Sequence, residues 1–129
     1  FVMATFRKGD IMQLEKLFDK IKTFSDQRDW DQFHSVKNLS MALAVESSEL
    51  MEIYQWITEK DSNDKNNESL KQKAKEEIAD VFIYLLRIAT KLEINLEEAV
   101  LMKMEKNELK YPIEKSKGNS LKYTEFGNE

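Results

Sequence analysis

The chain has 129 residues, 41% of them hydrophobic, with only three glycines and one proline, so it is long enough for one domain with a core and favours long helices over an all-β fold. A net charge of −4 and a pI near 5.2 argue against a general nucleic-acid-binding surface. Disulfides, thiolate catalysis and cysteine-ligated zinc are excluded because there is no cysteine, and no apolar run approaches the length of a membrane span. With no signal-peptide core at the start, a cytosolic location is the expectation.

Taken in chain order, Ile11, Leu14, Leu17/Phe18, Ile21 and Phe24/Ser25 keep a helical period and predict a first helix from Asp10, as N-cap, to about Arg28. A connector, Asp29-Trp30-Asp31-Gln32-Phe33-His34, leads to Ser35, the expected cap of a second helix running to about Thr58. Residues 59–67 are polar throughout and read as a loop. A third helix is expected over roughly 68–91. Asn95, with Glu98 three residues on, opens a fourth as a capping-box pattern, and Pro112 ends it. Its inner stripe is Leu96, Ala99/Val100, Lys103/Met104 and Asn107. Residues 113–129 read as an irregular tail. Four helices with short connections predict an all-α four-helix bundle, a single domain over 1–129 with its helical core at about 10–110.

Two acidic pairs stand out. Glu46 and Glu49 lie on the second helix, Glu77 and Asp80 on the third, and both 46/80 and 49/77 are centred on residue 63, inside the polar loop. In an antiparallel hairpin Glu46 therefore comes level with Asp80, and Glu49 with Glu77. Residues three apart share a helix face at about 5–6 Å. Four carboxylates then converge, the donor set that hard cations such as Mg²⁺ or Mn²⁺ prefer.

The spacing alone is weak, because acidic pairs three apart occur six times among 24 acids. Position strengthens it. Leu39, Leu43, Leu50 and Ile53 mark the buried face of the second helix, and Val81, Tyr84, Leu85 and Ile88 that of the third. The four acids lie on or beside those stripes, where an unpaired carboxylate is costly. A di-iron bundle would need two Glu-x-x-His motifs, and the chain has one histidine, His34, preceded by Asp31.

Lys103 and Asn107, four apart, either face a triphosphate or serve local neutralisation and capping. Trp30, Trp56 and Tyr84 are either core rings or platforms for a base.

Together these residues resemble the MazG-like all-α nucleoside triphosphate pyrophosphatases, in particular the dCTP pyrophosphatase branch. The resemblance is carried by Arg28 through His34, Asn38-Leu39, Glu46-Ser47-Ser48-Glu49-Leu50, Gln55-Trp56, Glu76 through Leu85, Lys103-Met104, Asn107, Tyr111-Pro112 and Lys122-Tyr123-Thr124. It covers about residues 6–124. What it implies is Mg²⁺-dependent hydrolysis of a (deoxy)nucleoside triphosphate, dCTP or a modified dCTP first, to monophosphate and pyrophosphate. Glu46, Glu49, Glu77 and Asp80 match the metal ligands, with Glu49 also orienting or deprotonating the attacking water. Trp30, His34, Trp56, Tyr84, Lys103 and Asn107 match the substrate-binding set, and homo-oligomers (dimers or tetramers) are implied. Ile21 stands in place of a base-contacting histidine, and Glu108 and Lys110 where basic residues follow the asparagine. The alternatives are a dUTPase-like or broad house-cleaning pyrophosphatase, and a non-enzymatic helical interaction protein whose acids are merely solvated.

Overall fold

The computed structural model describes residues 8–127, with side chains described from Leu14 onward. Six α-helices and one 3₁₀ turn occur among the described residues, with no strand: α1 (Lys8–Asp26), α2 (Val36–Tyr54), α3 (Glu59–Ser62), α4 (Glu68–Lys91), α5 (Leu96–Lys110), α6 (Ile113–Ser116) and the turn Tyr123–Glu125. The chain divides after Leu92 into two compact units.

In the first unit α2 and α4 form the main packed pair, and α1 packs on α4. The pairing is antiparallel: Glu46 of α2 meets Asp80 of α4, while Glu52 and Ile53 share a recess with Leu70 and Lys73. Leu39 of α2 and Leu86 of α4 are each 1% exposed; Ala89 and, nearer the start of α4, Ala74 are also buried. The predicted stripe on α4 is thus shifted. Leu85 is 40% exposed, whereas Leu86, Arg87 and Ala89 are buried. A helix packed on two neighbours buries two faces, which a one-stripe reading misses.

Local chemistry sets the helix ends. Ser35 Oγ accepts the Asn38 amide at 3.1 Å and Asn95 Oδ1 that of Glu98 at 3.1 Å, as the sequence predicts. The second helix stops at Tyr54 rather than Thr58. Thr58 is extended (φ −70°, ψ 157°), and its hydroxyl accepts the Asp61 amide, so it caps α3 within the expected loop. Glu59 and Asp61 suit the positive end of that short helix. The expected cap Asp10 lies inside α1, and its side chain and that of Ile11 fall outside the described ones.

In the second unit α5 buries none of its residues; Val100 and Met104 of the predicted stripe are both exposed, as are Lys103 and Asn107. The tail is less irregular than expected. It carries α6 and the 3₁₀ turn, and Tyr111 meets Tyr123 and Phe126 edge-on, each at 5.9 Å.

Candidate functional site

The α2–α4 pairing brings the acidic pairs together. One carboxylate oxygen from each of Glu46, Glu77 and Asp80 lies within 4.8 Å of the others. Glu49 stands within hydrogen-bond reach of both Glu46 and Glu77. The clustering shows in the protonation equilibria. A hydrogen bond to Glu49, then burial and the charges of Glu49, Asp80 and Glu77, push the Glu46 carboxyl up to about 7. Burial first, then the charge of Glu49, raises Glu77. Buried Glu77 Oε2 has no hydrogen-bond partner. Converging carboxylates with an orphaned oxygen fit a divalent cation, which would replace the missing partner and cancel the repulsion.

Beside the cluster, and sharing Asp80 with it, is a cavity of about 270 Å³ between α1, the connector and α4. Trp30, His34 and Tyr84 line it, as does Ile21. Burial, then the charges of Glu46 and Asp80, raises the Tyr84 phenol, which places that hydroxyl close to the carboxylate cluster.

The connector is built to hold Trp30 in place. Asp29 adopts a left-handed conformation (φ 52°) just past α1, and the Trp30 amide reaches back to the Ser25 carbonyl at 3.1 Å. This is a Schellman-type helix end, and the left-handed residue costs about 1–2 kcal/mol that the closing bonds offset. The Trp30 ring meets Phe24 edge-on at 5.6 Å and His34 at 5.9 Å. Asn38 Nδ2 donates to the Phe33 carbonyl at 2.9 Å, tying the connector to α2. Asp31 ties it to α4, pairing with Lys91 at 2.9 Å and Arg87 at 3.4 Å. The hydrogen bond from Lys91 holds the Asp31 carboxyl below its usual range. Burial, then the nearby Arg87 and Lys91 charges, lowers His34, favouring neutral imidazole.

Other expected site residues stand apart. Trp56 is 88% exposed and does not line the cavity. A groove of about 470 Å³ flanks the cluster on the side of Glu49 and Glu77, with Lys73 its cation. A larger recess, about 510 Å³, lies by the 62–65 turn and holds none of the expected site residues. Ser25 and Arg87, both lining the aromatic cavity, were not expected from the sequence. For Arg87 there was a signal, a cation inside the apolar stripe next to Ile88; for Ser25 it was a place on the periodic stripe of the first helix, beside Phe24.

The model of the MazG-like family matches residues 41–126. The chain belongs to the MazG-like family. Residues 41–126 of this MazG-like chain include all four clustered acids. Among relatives, dCTP pyrophosphatase 1 of Homo sapiens is 40% identical over 104 residues and that of Bos taurus 38% over 104, each match spanning 80% of this chain. The match spans 61% and 62% of those relatives' length. A crystal structure of a pyrophosphatase from Archaeoglobus fulgidus superposes with a TM-score of 0.72 at 46% identity, covering 78% of this chain and 93% of that one. The all-α MazG-like fold expected from the sequence is the observed one. No helix among the described residues is long and apolar enough to cross a membrane.

Proposed function

We propose that this MazG-like chain is a nucleoside triphosphate pyrophosphohydrolase acting on dCTP or a modified dCTP, with Mg²⁺ as cofactor and Mn²⁺ as a substitute. The observation that carries it is the carboxylate cluster, with its orphaned Glu77 Oε2, opening through Asp80 into an aromatic-lined cavity. The names of its relatives support the substrate class. The family match runs across both compact units, which supports treating 1–129 as one domain. Apolar side chains left exposed on α2 and α4, among them Met41, Val45, Ile78 and Phe82, support a homo-oligomer, dimer or tetramer. The substrate class fits a cytosolic enzyme.

In this reading Glu46, Glu49, Glu77 and Asp80 hold the metal, which when bound neutralises charge on the phosphates and makes the attacking water more acidic. Glu49, exposed like Asp80, orients that water and accepts its proton. The water oxygen bonds to the α-phosphorus as the bond to the bridging oxygen breaks, releasing monophosphate and pyrophosphate. Trp30 stacks on the base, while His34 and Tyr84 close the cavity around base and sugar. The resemblance assigns Lys103 and Asn107 to phosphate or sugar, and Trp56 to the base.

A panel of deoxynucleoside triphosphates with Mg²⁺, scored for monophosphate and pyrophosphate, is the test. Release of both, fastest from dCTP, is expected. No turnover of any triphosphate, or release of orthophosphate instead, would refute the reading.

A further inference from the structure

Five buried side-chain polar atoms have no partner among the described residues, and three of them belong to residues lining one cavity: Ser25 Oγ, His34 Nδ1 and Arg87 Nε. A buried polar atom without a partner is destabilising, and most native ones are satisfied. Ser25 is 3% and Arg87 5% exposed. Ser25 Oγ and Arg87 Nε find no partner in the fold. Arg87 Nη2 reaches Asp31 only at 3.4 Å, beyond ordinary hydrogen-bond length, and Lys91 takes the same Asp31 oxygen at 2.9 Å. One carboxylate thus faces two cations beside Arg87, while Asp80 lines the cavity nearer the carboxylate cluster. Ile21 offers only hydrocarbon on its side.

We infer that Arg87, assisted by Ser25, is the specificity-determining residue of this cavity and selects cytosine over uracil and thymine. The inference rests on the nucleotide reading above. A guanidinium donates and never accepts, whereas a serine hydroxyl does either. The base edge turned toward Arg87 must therefore carry an acceptor. Cytosine presents N3 and O2 as adjacent acceptors. Turned the same way, with O2 and N3 toward Arg87, uracil and thymine place an N3–H donor where cytosine has an acceptor, which sets donor against donor. The orphaned atoms are closed to bulk water, so a ligand seated in the cavity meets them after a small turn of the side chains. Ser25 then bonds whichever neighbouring group the base presents.

The test is a titration of the full chain, free of metal, with dCMP, dUMP and dGMP, followed by calorimetry. Wild type is expected to prefer dCMP over dUMP by roughly ten- to a hundredfold, the discrimination typical of one well-placed contact to a base. Arg87→Met brings that ratio near one, chiefly by weakening dCMP. Ser25→Ala lowers it in part, and stands in if Arg87→Met fails to melt cooperatively. Asp31→Asn, which loosens the connector, weakens both ligands and keeps the ratio. Equal binding of dCMP and dUMP by wild type, a preserved ratio in Arg87→Met or, failing its fold, in Ser25→Ala, or tighter binding of dGMP overturns the inference. Because no step of catalysis is read, a cytosine preference without triphosphate turnover would sink the proposed activity and leave this selection standing.

Discussion

Replacing Glu46 with glutamine should stabilise the metal-free protein, and only at neutral or alkaline pH. The Glu46 carboxyl is raised from 4.5 to about 7, first by its hydrogen bond to Glu49, then by burial and by the charges around it. The folded state therefore holds this proton more tightly than the unfolded one. Its stabilising contribution is complete below about pH 4.5, falls as pH rises, and is gone above about 7. At about 1.4 kcal/mol per pKa unit the loss is about 3 kcal/mol for a fully screened-off group. Glu46 is only half-buried, and solvent screening reduces this to about 1–2 kcal/mol. Glutamine stays neutral, keeps a donor toward Glu49, and escapes the loss. For a domain of this size the gain corresponds to about 3–8 °C in Tm. Thermal melts in chelator at pH 5 and pH 8 read it directly: Glu46→Gln should match wild type at pH 5 and exceed it at pH 8. Saturating Mg²⁺ should reverse the order, since binding at a hundred times Kd adds about 2.7 kcal/mol to wild type. Equal Tm differences at both pH values in chelator would show that the Glu46 carboxyl is not raised in the folded protein.

Asp80→Asn should abolish both turnover and the Mg²⁺-induced rise in Tm while leaving the helical circular dichroism intact; retained turnover would remove Asp80 from the site. Protons compete with metal for these carboxylates, so the Mg²⁺ concentration for half-maximal activity should increase as pH falls below about 7, the Glu46 value, and a flat dependence would contradict the assignment. Trp30→Ala should raise KM roughly ten- to a hundredfold with a smaller effect on kcat, as expected when a stacking contact of about 1–3 kcal/mol is lost from ground and transition state alike. Light scattering at micromolar protein should give a dimer or tetramer; a mass near 15.2 kDa counts against assembly.

The carboxylate cluster was legible because it depends on two regular periods. Residues three apart on a helix share a face, and an antiparallel pairing brings residues equidistant from the turn level with one another, so the numbers alone brought Glu46, Glu77 and Asp80 together, with Glu49 beside them. Caps were legible too, at Ser35 and Asn95, since a side-chain oxygen and an amide three residues on suffice. The end of α2 was not. The apolar period continues through Trp56 and Ile57, while the Thr58 cap that starts a new helix competes with it locally. Ser25 was legible as a stripe position of the first helix but not as a cavity residue, because the cavity depends on the connector folding back across α1, a tertiary event. Trp56 illustrates the converse: an indole suits a base platform, yet it is 88% exposed and does not line the cavity.

The segment between α2 and α4 has a consequence for how such sites are recognised across proteins. The level pairing of the carboxylates is enforced by side chains packed along the two long helices, not by the intervening turn and its short α3. Adding residues near Asn63 would lengthen the crossing at little cost, about 0.6 kcal/mol for each doubling of a flexible loop. The symmetry about residue 63 would vanish on paper while the carboxylate cluster stayed whole. A pattern that fixes the gap between the two acidic pairs would therefore overlook chains with the same site. One that fixes each pair and lets the gap float would find them.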